Sequence, residues 1–340
     1  MHICILAPVN GITVFPQRYG GIERMVGWLS QELLKLGHQV TLIAQTDSYV
    51  KGATVLTLDP NFDNLHESDQ LQAVMADELI GQVDCFHDIT HDKWFARAHL
   101  RDDVPCIATH QVHSRMGITV NEVCISAAQR EHMKLRDYVP FVYNGVPTED
   151  YEFQADPDDY LLFMGACTRV KGVDHAINIA KLSKRPLKIA GVPWDSEYWD
   201  QVVKPMLAEP ICQKLGIEFV GEVGGQEKMD LLRNAYAFLY PLRWLEPGGI
   251  VVTEALACGV PLLGTESGVL CELVEDGKHG FLVPKSSPAA IADLASYVEQ
   301  VGDISREGCR VRAHAFHSKY MAEDYLALYW RVSTGEVWEA

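Results

Sequence analysis

The sequence predicts an α/β protein made of two Rossmann-like domains facing each other across a cleft. Short β-rich runs alternate with helical-period segments along almost the whole length, they fall into two series, and an acidic, proline-bearing segment separates the series. With 340 residues, 48% of them hydrophobic, the chain is too long for one ordinary core and apolar enough to build two.

In the first series the strand candidates are HICILAP (2–8), QVTLIAQ (39–45), ATVLTL (53–58), VDCFHD (83–88), PCIATH (105–110), EVCIS (122–126) and FVYNG (141–145). GGIERMVGWLSQELLKLG lies between the first two, with glycine at its start and Gly37 at its end, and reads as an amphipathic helix. The second series runs YLLFMGA (160–166), LKIAG (187–191), IEFVGEV (217–223), AFLYPL (237–242), PLLGT (261–265) and GFLV (280–283). Between the series, NGVPTEDYEFQADPDD (144–159) has two prolines, six acidic residues and no apolar period, and reads as the linker. The expected domains are therefore 1–150 and 151–317, followed by a C-terminal helix within 318–340. That helix, SKYMAEDYLALYWRV, has aromatics at 320, 325, 329 and 330. It can return to brace the first domain, and ordinary packing explains the stripe equally well.

Composition narrows the function. Lys plus Arg number 29 against 46 Asp plus Glu, a formal charge of −17, and no basic stripe relieves it, so nucleic acid is excluded as a partner. The nine cysteines are scattered without Cys-x-x-Cys spacing, which points to a reducing cytoplasm. The opening MHICILAP has no basic leader, and no apolar run approaches the roughly 20 residues of a membrane span. A soluble, cytoplasmic protein without stable membrane insertion is expected.

Three places carry chemistry. Gly20 and Gly21 follow the first strand and precede a helix, where bare backbone N–H groups can approach a phosphate; a tight turn alone would also explain them. In FMGACTRVKGVDHAI (163–177), Arg169 and Lys171 stand at the carboxyl end of the second domain's first strand, where a departing phosphate needs positive charge; solvated surface charge is the alternative. In WLEPGGIVVTEALACGVPLLG (244–264), Glu246 and Glu254 bracket Gly248 and Gly249. A carboxylate's two acceptor oxygens match a vicinal diol, although Glu246 favouring a helix N-terminus and Glu254 lying in solvent would explain the pair too.

Together these elements resemble the retaining glycosyltransferases of family 4, which have the GT-B fold. The resemblance covers nearly the whole chain: YGGIERMVGWLSQELLKLGHQVTLIA, ISAAQR (125–130), YNGV (143–146), FMGACTRVKG, and above all EPGGIVVTEALACGVPLLGTESGVLCELVEDGKHGFLV (246–283). It implies transfer of a sugar, with retention, from a nucleotide diphosphate donor, UDP favoured, to a small soluble hydroxyl acceptor. No metal and no cofactor is called for, and the oligomeric state is left open. The resemblance also implies roles. Glu254 binds the nucleotide ribose, Glu246 the donor sugar's hydroxyls, and the backbone of Gly248, Gly249, Ile250 and Val251 cradles sugar and diphosphate. Gly20 and Gly21 approach the diphosphate, Lys171 neutralises the departing phosphate, and His110 lies near the reaction centre, with His113 as a less favoured alternative.

Two departures stand out. The arginine the family usually has after the strand's glycine is Ala166 here, with Arg169 three residues on as a substitute, and the aromatic of EPFG is Gly248. The former keeps open a catalytically silent nucleotide-sugar binding protein as the competing reading, alongside another GT-B enzyme such as an epimerase. HDITHD (87–92) offers His87 and His91 with Asp88 and Asp92, like a metal site. A segment leaving a strand as a loop does not give an i, i+4 pair, so acceptor-pocket lining is the expected role. DPDD (156–159) mimics Asp-x-Asp but falls in the linker. KWFARAHLR (93–101) is the one faint candidate for a lipid-facing basic helix.

Overall fold

A computed structural model describes residues 1–59, 65–100, 103–114 and 117–339. The chain divides into two compact units. The first comprises Met1–Pro16, Gly20–Val146 and His317–Ala340, and the second comprises Gln17–Tyr19 and Pro147–Phe316.

The first unit holds a six-stranded sheet of β1 (His2–Leu6), β2 (Gln39–Gln45), β3 (Thr54–Leu58), β4 (Cys85–Asp88), β5 (Cys106–Thr109) and β6 (Glu122–Val123) in the order β3-β2-β1-β4-β5-β6. The second unit holds β7 (Leu161–Met164), β8 (Leu187–Ala190), β9 (Ile217–Gly221), β10 (Ala237–Tyr240), β11 (Leu262–Glu266) and β12 (Gly280–Pro284) in the order β12-β11-β10-β7-β8-β9. Every pairing in both sheets is parallel. This is the Rossmann order written twice. In each unit the strand order reverses between the first and the fourth strand, the place where the loops leaving the carboxyl ends part and a ligand fits.

Continuous apolar runs make the central strands because a parallel sheet is covered on both faces. Ile3, Cys4 and Ile5 of β1, Leu161, Leu162 and Phe163 of β7, and Phe238 and Leu239 of β10 are all fully buried. The helix Gly21–Lys35 turns Met25, Val26, Leu29 and Leu33 inward. Eight of the nine cysteines are buried, all nine are unbridged, and Cys271 alone is exposed. Among the described residues no helix is long and apolar enough to cross a membrane.

Sequence and structure differ at two strands. FVYNG forms only an isolated bridge between Phe141 and Cys124, and EVCIS joins the sheet only through Glu122 and Val123 before Ser126 caps the helix Ala127–His132, its hydroxyl accepting from the Gln129 N–H. The hydroxyl competes for the backbone where the ladder would have continued.

The helix Ser318–Ser333 belongs to the first unit, and its aromatic stripe splits. Tyr325 and Tyr329 are fully buried while Tyr320 and Trp330 face solvent. His87, on β4, is their partner. Its Nδ1 shares a hydrogen bond of 2.8 Å with the Tyr329 hydroxyl, its Nε2 one of 2.7 Å with Thr109 Oγ1, and Thr109 in turn meets the Tyr325 hydroxyl at 3.2 Å. Burial pushes the His87 pKa well below its ordinary value, with Lys93 adding to the effect, so the ring is neutral and bonds through both nitrogens. The expected pocket-lining role of His87 is thereby corrected: a fully buried, doubly bonded imidazole holds the C-terminal helix on the sheet. Tyr329→Phe should leave His87 Nδ1 without its partner and lower unfolding stability by about 1–3 kcal/mol, measured by urea denaturation.

Candidate active site

In the second unit the loops leaving β7 and β10 meet at the strand-order reversal. Gly172 makes this possible: at φ +76° a side chain is strained, and a Cβ would lie 2.1 Å from the Pro241 carbonyl oxygen. Just before it, the short 3-10 turn Arg169–Lys171 presents the lysine. Lys171 Nζ lies 2.5 Å from Glu246 Oε2 and 2.9 Å from the Tyr240 hydroxyl, and sits 4.6 Å from the centre of the Trp244 ring. Trp244 Nε1–H donates to the same Glu246 oxygen at 3.1 Å, and the Gly249 N–H donates to Oε1 at 3.3 Å. Burial, with the Glu246 charge beside it, pushes the Tyr240 phenol well above its ordinary range, so it stays protonated. Glu246 Oε1 keeps acceptor capacity for a hydroxyl, since a carboxylate oxygen takes two donors.

The loop after β11 fixes Glu246 from behind. Gly268, at φ +57°, packs on its backbone so closely that a Cβ would lie 2.2 Å from the Glu246 carbonyl oxygen. The Val269 N–H donates to that oxygen at 2.8 Å, and the Ser267 hydroxyl donates to the Trp244 carbonyl. Gly249 caps the helix Ile250–Ala257 in the left-handed region, φ +59°. Ile250 and Val251 open that helix, where backbone N–H groups have no intrahelical acceptor.

Glu254 lies in the second turn of the same helix. It is 2% exposed, which overturns the solvated alternative; its Oε1 accepts from the Tyr151 hydroxyl at 2.7 Å and from Lys228 Nζ at 2.6 Å. From Pro147 on, the linker is part of the second unit, and Tyr151 comes from it, while Asn144, Gly145 and Val146 belong to the first. Arg169 stacks its guanidinium 4.9 Å over the Tyr198 ring. Beside it, Arg243 grips Asp174 through two bonds of 2.7 and 2.6 Å and donates to the Arg169 carbonyl at 2.8 Å. Ala166 and Gly248 are both buried.

In the first unit, Gly20 caps the helix Gly21–Lys35 at φ +135°, and a Cβ there would meet Pro16 at 2.6 Å and Ile12 at 2.7 Å. The Glu23 carboxylate is close by, accepting from Asn10 Nδ2 at 3.0 Å; burial raises its pKa. Gly21 is half-buried. His110 follows β5, is 1% exposed, and has Nε2 2.8 Å from Glu122 Oε2. His113 stands against His132, ring centres 4.4 Å apart. In HDITHD, Asp88 spends its oxygens on Thr90 N–H and hydroxyl and on the Ala96 N–H, Asp92 pairs with His66, and His91 is exposed. Asp159 of DPDD pairs with Arg185 at 2.6 Å. Trp94–Ala98 is the helical part of KWFARAHLR, whose Arg101 lies outside the described residues.

Sequence reasoning passed over Tyr151, Lys228, Tyr240, Arg243 and Trp244. The aromatic residues and the arginine immediately before Glu246, in YPLRWLE, were the available signal. Tyr151 and Lys228 are distant in sequence from Glu254 and had none.

Residues 149–313 match the family model described as Glycosyl transferases group 1, which supports that family for the second unit. The chain is 28% identical over 225 residues to the alpha-maltose-1-phosphate synthase of Mycolicibacterium smegmatis, covering 58% of each chain. It spans about half the length of the curated relatives it matches. Among solved structures it is similar to AviGT4, a glycosyltransferase involved in avilamycin A biosynthesis, at 27% identity, 99% coverage of both chains and a TM-score of 0.80. It also shares the fold of Anabaena HepE in complex with UDP-glucose, at 15% identity and a TM-score of 0.67, covering 98% of this chain and 100% of that one. The two parallel six-stranded sheets are those of the GT-B fold.

Two substitutions test the architecture of the site. Gly268→Ala should displace Glu246 and cost about 2 kcal/mol of stability, from overpacking and a left-handed backbone, read by thermal denaturation. Asp174 has its pKa lowered: burial opposes this, but the bonds from Arg243 and Tyr198 outweigh it. A depressed folded pKa stabilises above the ordinary carboxylate value, and that contribution fades as pH falls through the folded value. The stability gap between wild type and Asp174→Asn should therefore be full at neutral pH and close below about pH 4, measured by denaturation across pH.

Proposed function

We propose that the protein is a glycosyltransferase of family 4 that moves a sugar, with retention, from a nucleotide diphosphate donor, UDP-sugar first, to a hydroxyl of a small soluble acceptor. One observation carries the reading: a lysine and a glutamate from the loops on either side of a Rossmann reversal meet at 2.5 Å beside the start of the Ile250–Ala257 helix. Cation, carboxylate and helix N-terminal amides are the groups that a diphosphate linked to a polyhydroxylated sugar requires.

Glu254 takes the ribose hydroxyls and Glu246 those of the donor sugar. The amides of Gly248, Gly249, Ile250 and Val251 receive the sugar and diphosphate. Lys171 leaves Glu246 for the departing phosphate as negative charge grows there, which makes it stabilisation realised in the transition state. Arg169 adds charge in place of the arginine missing at Ala166, and no divalent ion is assigned a role. Gly20, Gly21 and His110 are the first unit's contribution, by resemblance. The leaving phosphate oxygen accepts the acceptor's proton while the new glycosidic bond forms on the same face. The UDP preference is supported by the UDP-glucose complex of a protein of the same fold.

Ala166 favours one other reading, a nucleotide-sugar binder without turnover. Hydrolysis of UDP-glucose without acceptor separates the two, since a silent binder releases no UDP.

A panel of UDP, GDP and ADP in thermal denaturation should give its largest upward shift with UDP. Glu254→Ala should weaken UDP binding by about ten- to a hundredfold, as loss of a charged hydrogen-bonding group predicts. Lys171→Ala should mainly slow turnover, by about 10²–10³. No shift with any nucleotide, or equal losses of binding and turnover in both variants, would remove the proposal.

A further inference from the structure

In the first unit, side chains pin the loop that leads from β1 towards the helix Gly21–Lys35. The Gly11 N–H donates to Gln45 Oε1 at 3.1 Å and the Val14 N–H to Ser48 Oγ at 3.0 Å, from the end of β2 and just beyond it. Asn10 accepts from the Ile12 N–H at 3.1 Å and donates to Glu23 at 3.0 Å. These partners all come from the chain itself, so the fold sets the loop's shape.

Phe15 pins the loop in another way. Its backbone is left-handed, φ +58°, a conformation that is strained for a bulky residue. Its ring lies on the helix at Gly27, where a Cβ would sit 2.6, 2.7 and 2.8 Å from three ring carbons. Gly27 is buried inside the helix, and glycine there weakens a helix relative to alanine. One contact therefore carries a local penalty on each side. Filling space requires neither, since alanine at 27 and an unstrained residue at 15 would pack, and strain of this kind persists where the surrounding structure uses it.

From Phe15 the contact reaches Gly20 in one step. Pro16 is the next residue, is buried, and packs on Gly20, where a Cβ would lie 2.6 Å from Pro16 Cγ and 2.7 Å from Ile12 Cγ2. Gly20 is the N-cap of the helix, and no side chain caps that end, so the first amides are open to an acceptor from outside the chain. Where those amides stand follows from where Pro16 and Ile12 press on Gly20.

We propose that Phe15 and Gly27 are positioning residues: the ring seated on the helix fixes the loop and, through Pro16, sets the amides at Gly20 and Gly21 for the donor's diphosphate. The identity of that ligand rests on the glycosyltransferase reading. Both residues act on the phosphates alone, and the nucleoside end of the ligand is indifferent to them.

Calorimetric titration of the full chain with UDP and with uridine, which lacks the phosphates, tests this. Gly27→Leu introduces a good helix former that takes the ring's place, and Phe15→Asn removes the ring while tolerating the left-handed backbone. Each should weaken UDP about tenfold, the scale of a misplaced hydrogen bond to a charged group, and leave uridine unchanged. The double variant should lose no more than the worse single one, because both changes remove the same contact. Thermal denaturation reports folding, and if Gly27→Leu does not fold, Gly27→Ala replaces it in the cycle. UDP affinity equal to wild type, equal losses for UDP and uridine, or losses that multiply in the double variant would overturn the positioning role and leave the donor reading in place. If the wild-type protein binds UDP no more tightly than uridine, the donor reading falls and this role falls with it.

Discussion

The ion pair between Lys171 and Glu246 is the constraint on which the second unit's site depends. Two charges held largely out of water cost solvation free energy that their attraction offsets only when the geometry is good and the remaining valences are filled. Here the Trp244 indole, the Tyr240 hydroxyl and the Gly249 amide complete the set. That completeness explains the aromatic residues on either side: they supply directed donors and a ring face for the ammonium while excluding solvent. In the proposed function, a diphosphate that drew Lys171 away would have to be matched by hydroxyls that satisfy Glu246.

Such a pair forms only because three loops approach within backbone contact. Gly172 on Pro241 and Gly268 on Glu246 are positions where a methyl group would lie about 2 Å from a carbonyl oxygen, well inside contact distance. Their positive φ values add a second reason for glycine. The helix capped by Gly249 then begins at the point those contacts establish. Arg243 works to the same end through Asp174 and the Arg169 carbonyl, tying the cation-bearing turn to the loop that holds the carboxylate.

The first unit shows how one residue type takes two roles on neighbouring strands. His87 and His110 stand at the ends of β4 and β5, and both are buried. The C-terminal helix brings Tyr329 to His87, and with Thr109 its ring is fully satisfied. For His110 only Glu122 arrives. The difference is a matter of supply: the hydroxyls of the C-terminal helix reach one strand end, so the His87 ring is bonded at both nitrogens, while His110 Nδ1 has no partner among the described residues.

Much of this protein is legible in the order of its residues. Alternating apolar runs and helical periods determined two series of parallel strands, because side-chain burial on both faces of a sheet needs continuous apolar strands whatever the partners. The glycines before helices, and Glu246 and Glu254 with seven residues between them, marked candidate elements of the site through the family resemblance, because such features depend on local backbone freedom and helix geometry. Tertiary structure alone decided the rest. That Tyr151 and Lys228 hold Glu254, and that His87 belongs to the core with Tyr329 as its partner, are facts about residues up to hundreds of positions apart. Hydrogen-bond satisfaction is settled by which groups arrive from elsewhere in the fold, and no local pattern in the sequence records it.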